Sequence, residues 1–188
     1  MRRSRWPAVF AVPLAVFLAA APAAAQPVPE GRASPLSALV APVHGRKACF
    51  ARRYDAAHRQ RHPRQLVTAM SLTLRYHRHP PDRHHPHGQR NTYFTLTAVL
   101  GAGRGRLTAS GECMAPGSEI ACTQDCDGGG FGLTRAPDGT LLLDLTRYGR
   151  LRMTRGCGGE ETGGVELMPG ADDRIFRLVP SPAGACGA

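Results

Sequence analysis

The stretch Leu66-Val67-Thr68-Ala69-Met70-Ser71-Leu72-Thr73-Leu74-Arg75-Tyr76 alternates in character, with Met70, Leu72, Leu74 and Tyr76 on one face and Ser71, Thr73 and Arg75 on the other. Successive side chains of an extended chain point to opposite sides, so this period of two predicts a strand with one face buried and the other in water. Downstream, residues 77–91 break the pattern with Pro80, Pro81, Pro86 and Gly88 and read as a polar loop. Residues 92–100 and 104–113 then read as further strands, joined by a Gly101-Ala102-Gly103 turn. Shorter strands are predicted at 119–123, 130–135, 141–146, 149–154 and 174–179. Pro137-Asp138-Gly139 marks one of the turns, because proline presets its φ and glycine accepts a positive one. About eight short antiparallel strands at such spacing predict a mainly β domain, a small barrel-like meander or sandwich.

Upstream, residues 49–62 place Phe50, Tyr54 and Ala57 on one stripe and end at Pro63, which predicts a short N-terminal helix docked on the sheet through Phe50 and Tyr54. Residues 26–46 are rich in Pro, Ala, Gly and Ser and read as a flexible lead-in. Residues 1–25 carry Arg2, Arg3 and Arg5, an apolar run interrupted by Pro7 and Pro13, and Ala23-Ala24-Ala25, the pattern of a cleaved secretory signal. Its apolar run is too short and broken for a permanent anchor, so no transmembrane segment is expected after cleavage. The expected organisation is therefore signal 1–25, lead-in 26–46 and one β-rich domain over 47–188, in the periplasm or outside the cell.

Export changes the meaning of the six cysteines, which in an oxidising compartment read as three disulfides. Cys113 and Cys122 flank a turn near Gly117, and a symmetric hairpin places them directly opposite each other. Cys126 with Cys157 and Cys49 with Cys186 complete the expected scheme, the last tying the predicted helix to the C-terminal tail.

The chain carries a formal charge of +10, and it is unevenly spread. Glu30, Asp55 and Asp82 are the only acids in residues 26–110, whereas acids outnumber basic residues beyond 110. Arg52, Arg53, Arg59, Arg61, Arg78, Arg104 and Arg106 are the candidate contacts for an anionic ligand, with Tyr54, Tyr76 and Tyr93 as flat amphipathic neighbours. An exported basic domain would meet an anionic lipid, a glycan or an acidic envelope protein, and nucleic acid is the weaker partner. Lys47 is the sole lysine, so coding bias toward arginine is the competing explanation of the charge.

Other motifs carry less. The histidines at 77, 79, 84, 85 and 87 lack helical metal-ligand spacing and are cut by prolines, so an exposed turn is the expectation and no metal site or cofactor is assigned. Cys122, Asp125, Cys126, Asp127 and the glycines at 128–130 read as a structural turn, lacking an EF-hand ladder or a phosphate loop. Glu160, Glu161, Glu166, Asp172 and Asp173 lie in polar stretches where exposure is the default, Ser110 and Ser118 lack a nucleophile elbow, and His58 and His62 have no visible partner. No catalytic residue is assigned.

The segment from Cys49-Phe50-Ala51-Arg52-Arg53-Tyr54-Asp55-Ala56-Ala57-His58 through His62-Pro63 to Gln65 and Val67 resembles the opening block of uncharacterised proteobacterial exported proteins. Cys126-Asp127-Gly128-Gly129-Gly130-Phe131 and Asp172-Asp173-Arg174-Ile175-Phe176-Arg177-Leu178 are similar to later blocks of that group. The resemblance implies an exported scaffold and no biochemical role. The expected function is non-enzymatic binding or structural support, with an envelope enzyme acting on a polymer or small ligand as the alternative.

Overall fold

The structure, a computed structural model, describes residues 32–125, 127–154 and 164–187. In chain order it contains β1 (Lys47–Arg53), α1 (Ala56–Arg61), β2 (Val67–Arg78), β3 (Arg90–Leu100), β4 (Gly105–Met114) and β5 (Ile120–Thr123). These are followed by β6 (Gly130–Arg135), β7 (Leu141–Asp144), β8 (Leu151–Met153), β9 (Val165–Leu167), β10 (Ile175–Ser181) and α2 (Gly184–Gly187). Strands β1 to β7 run as an antiparallel meander, and β10 pairs with both β7 and β1 to close an eight-stranded barrel. Strands β8 and β9 form a separate hairpin.

Two expectations need correction. Residues 49–53 are strand, not helix, and α1 begins only at Ala56, where the Asp55 carboxylate accepts a hydrogen bond from the His58 backbone N–H at 2.7 Å. Phe50 and Tyr54 are both buried and lie four apart, a spacing that satisfies the helical period and the strand period equally. Residues 149–154, expected as a barrel strand, supply β8 outside the barrel, and β1 takes the eighth place. Packing also extends upstream of Lys47, since Leu36, Leu39 and Val40 are buried in the core.

The alternation in β2 puts Met70, Leu72, Leu74 and Tyr76 inside the barrel. Phe94, Leu96 and Ala98 of β3 and Leu107 and Ala109 of β4 join them, and the Phe94 ring meets Phe131 edge-on at 4.9 Å. Gly111 lies at an inward position of β4, where a Cβ would run into the Thr123 carbonyl and the Phe94 ring. The outward positions of β2, β3 and β4 carry Ser71, Thr73, Arg75, Thr95, Thr97, Arg106 and Ser110. Apolar inside and polar outside is the reverse of a lipid-facing barrel and fits one surrounded by water. Among the described residues no helix is long and apolar enough to cross a membrane.

Each end of the barrel is covered. The turn around Leu36–Val40 packs over one end, with Arg135 donating to the Ala38 carbonyl at 3.0 Å and Gly45 N–H to Tyr76 O at 3.0 Å. At the other end the β8–β9 hairpin contributes Leu151, Met153 and Leu167 to the core, bridged through Thr108–Thr154 and Gly129–Leu151. Gly129 has φ +80°, and a Cβ there would strike the Arg150 carbonyl, so the bridge depends on glycine.

Two disulfides join described residues. Cys113 and Cys122 face each other across the β4–β5 hairpin, in the register expected from the sequence, and both are buried. Cys49 is bonded to Cys186, which ties α2 to the outer wall of β1 rather than to a helix; the Cys186 Sγ lies 3.4 Å from the Leu72 carbonyl oxygen. The expected Cys126–Cys157 bond lies outside the described residues.

Candidate functional site

The sheet register sorts the candidate arginines. Arg53 and Arg106 occupy the same row of the outer wall, Arg53–Ala69–Val99–Arg106, read across β1, β2, β3 and β4. With Arg52 they line a cleft of about 640 Å³, whose hydroxyls come from Ser71, Thr97 and Ser181. No Asp or Glu is among the described residues lining it. Arg52 is paired in register with the inward Met70, so its side chain leaves β1 on the other face from Arg53, and its guanidinium lies 5.1 Å from the Tyr54 ring centroid and donates to the Arg177 carbonyl at 3.5 Å. Arg59 and Arg61 instead project from α1, Arg104 sits in the β3–β4 turn, and Arg78 ends β2 at the opposite end of the barrel. The seven candidates therefore do not form one surface.

Two neighbouring clefts continue along the same wall. One, of about 620 Å³, is bordered by Lys47, Thr73, Thr95, Ser181, Ala183 and Cys186. The other, of about 570 Å³, includes Lys47, Thr73, Thr95, Arg75, Tyr93 and the carboxylates Glu112 and Asp125. Ser181 belongs to the first two clefts, and Lys47, Thr73 and Thr95 to the last two, while α2, bonded to Cys49, stands on the same wall and borders the first two. Lys47 and Arg75 were not candidates in the sequence. The signal for Arg75 was present in the alternation of β2, where it follows Ser71 and Thr73 on the wet face.

Of the three tyrosines, Tyr54 and Tyr76 are core residues and Tyr93 is on the outer wall. Burial drives the Tyr54 phenol up to about 12, with the Arg52 charge opposing and Asp173 adding to the rise, so it stays protonated.

A second polar cluster gathers at the barrel end near α1, where two of the sequence blocks quoted above meet. The Asp172 carboxylate accepts from Arg64 N–H at 3.0 Å and lies 3.7 Å from His62 Nδ1. Asp173, expected to be exposed, is 2% exposed and accepts from Leu66 N–H at 2.6 Å and Val67 N–H at 3.4 Å. It is buried because the chain entering β2 has backbone donors that no strand partner satisfies, and the carboxylate supplies the acceptor. His58 stacks on His62 at 4.4 Å and faces the Gln65 side-chain oxygen at 2.9 Å. Both carboxylates are engaged by backbone N–H groups, so the cluster reads first as a brace between two loops rather than as an acid–base pair.

Burial pushes the Asp173 carboxyl above its ordinary value, against the opposing pull of the two backbone donors. A raised folded-state value means that the stability tied to this group is fully present below the ordinary carboxylate range and is lost as pH rises through the raised value. Asp173→Asn is expected to remove that slope. Denaturant unfolding of the two proteins across the acid range checks it, and a difference that does not change with pH would count against the assignment.

The histidine-rich loop divides. The Asp82 carboxylate accepts from the backbone of His84 at 2.8 Å and of His85 at 2.7 Å, which lowers its pKa and closes a turn that leaves His84, His85 and His87 exposed. His77 and His79 turn back toward His44, and His79 Nε2 lies 2.8 Å from the Tyr93 hydroxyl. Among the described residues no three His, Cys, Asp or Glu side chains converge to hold a metal ion. Comparison with known proteins adds no identity: no protein family, no curated protein and no solved structure matches this chain.

Proposed function

We propose that this chain is an exported, non-enzymatic binding module whose outer barrel wall takes an anionic component of the cell envelope. The observation that carries the reading is the cleft in which Arg53 and Arg106 share a wall with the hydroxyls of Ser71, Thr97 and Ser181, and no carboxylate is among its described lining residues. Guanidinium groups offer forked donors suited to carboxylate, phosphate or sulfate oxygens, and hydroxyls add neutral hydrogen bonds to the same oxygens. The paired cysteines and the signal-like residues 1–25 support an exported setting, and the barrel interior is occupied by side chains of the core.

The test is binding of the oxidised chain to polygalacturonate and to phosphatidylglycerol vesicles at about 0.15 M salt, where charges farther apart than about 8 Å are largely screened. Retained binding to at least one of them is expected, and the Arg53→Ala/Arg106→Ala double variant should weaken it by about tenfold or more. Failure to bind either probe, or equal weakening of both proteins by modest added salt with no difference between them, would remove the proposal.

A further inference from the structure

The register of the outer wall narrows the ligand class. Below the Arg53–Arg106 row, Ser71, Thr97 and Thr108 face one another across β2, β3 and β4, and Thr73, Thr95 and Ser110 form the next row. The row after that holds Lys47 against Arg75, and Arg75 against Tyr93. A two-row lattice of hydroxyls thus separates two cationic ends. Hydroxyls within a row are spaced by the strand separation, about 4.8 Å, and the seven-residue run from Arg53 to Lys47 spans about 20 Å.

Resting on the reading of the wall as an anion-binding surface, we infer that its ligand is an acidic polysaccharide lying along β3 and β4, beside the α2 segment that covers part of β1 and β2, from the Arg53–Arg106 row to the Lys47–Arg75 row. Serine and threonine hydroxyls both donate and accept, which matches sugar hydroxyls that do the same, and the cations at each end match acidic substituents on separated sugar units. Tyr93, with the Arg75 guanidinium 5.6 Å from its ring centroid, walls the far end. Glu112 and Asp125 lie on the β4 side of that end and repel the ligand's charges toward Lys47 and Arg75, giving the track a definite course.

The alternatives fit less well. A lipid headgroup site needs apolar side chains to enter the acyl region, yet of the large exposed apolar residues described only Val179 lines one of the three clefts. An extended acidic peptide gains affinity by adding to a sheet edge, and the eight strands here are closed on themselves.

The experiment measures affinity of the oxidised full chain for galacturonate di-, tetra- and octasaccharides, a neutral malto-octasaccharide and phosphatidylglycerol vesicles. Affinity is expected to rise by about tenfold or more from the disaccharide to the octasaccharide, with no binding of the neutral octasaccharide, and Lys47→Ala/Arg75→Ala should erase the gain with length. Equal affinity at all lengths, or equal binding of the neutral sugar, overturns the inference. Binding to vesicles alone also overturns it while leaving the broader anion-binding reading standing, whereas silence from every acidic probe removes both. The length series on the unaltered chain decides the matter even if the double variant fails to fold.

Discussion

Replacing Cys49 and Cys186 together by alanine is expected to lower the unfolding free energy of the oxidised chain by about 5 kcal/mol, the largest single effect the fold implies. The bond links positions 137 residues apart, so in the unfolded state it excludes a great many open conformations, and the entropic part of its contribution grows with the logarithm of that loop. The Cys113–Cys122 bond closes only 9 residues, and the same relation gives it about 2.5 kcal/mol, although its buried sulfurs also fill the interior. Guanidinium unfolding of the two double variants, each compared with the parent, checks both the size and the order of the effects. A loss below about 1 kcal/mol for Cys49→Ala/Cys186→Ala would mean that the unfolded chain is already compact without the cross-link.

Phe131→Ala is expected to cost about 3–5 kcal/mol. The side chain is fully buried on β6, its ring contacts Phe94 across the interior, and its strand neighbour is Cys122. Removing it leaves a void between rigid barrel walls, which the closed hydrogen-bond ladder prevents from collapsing. Phe131→Leu should cost markedly less, because most of the volume is restored. Thermal or denaturant unfolding distinguishes them, and similar losses for Leu and Ala would point to the aromatic contact rather than to lost volume.

The strand pattern was most legible where one face meets water. In β2, β3 and β4 the alternation is clean because the outer wall is polar, and the β4–β5 register could be read from two cysteines flanking a turn. Legibility failed at β1 for a definite reason. Phe50 and Tyr54 lie four positions apart, a multiple of two that is also close to one helical turn, and the alanines at 51, 56 and 57 tilt the local propensity toward helix. Asp55 was the missed boundary, since its side chain caps a helix that starts immediately after it. The hairpin of β8 and β9 was hard to place for another reason, because strands of three residues carry too few alternations to reveal their partners.

The candidate site was half visible. Arg52, Arg53 and Arg106 were in view as charges, yet nothing local could announce that residues 53 and 106 would share a row, because that follows from the pairing of four strands. Asp173 was misjudged for the same reason. A carboxylate flanked by another aspartate and an arginine reads as solvated until the chain at Leu66 and Val67 is brought against it.

The tail segment fastened at Cys186 sets an order of events. Ala183 and Ala185 border two of the clefts, so these grooves are finished only when the Cys186 thiol has found its partner on the first strand. A copy held among reducing thiols would lack a completed groove. On the proposed reading, competence to bind would then be stamped by the local oxidant rather than by synthesis.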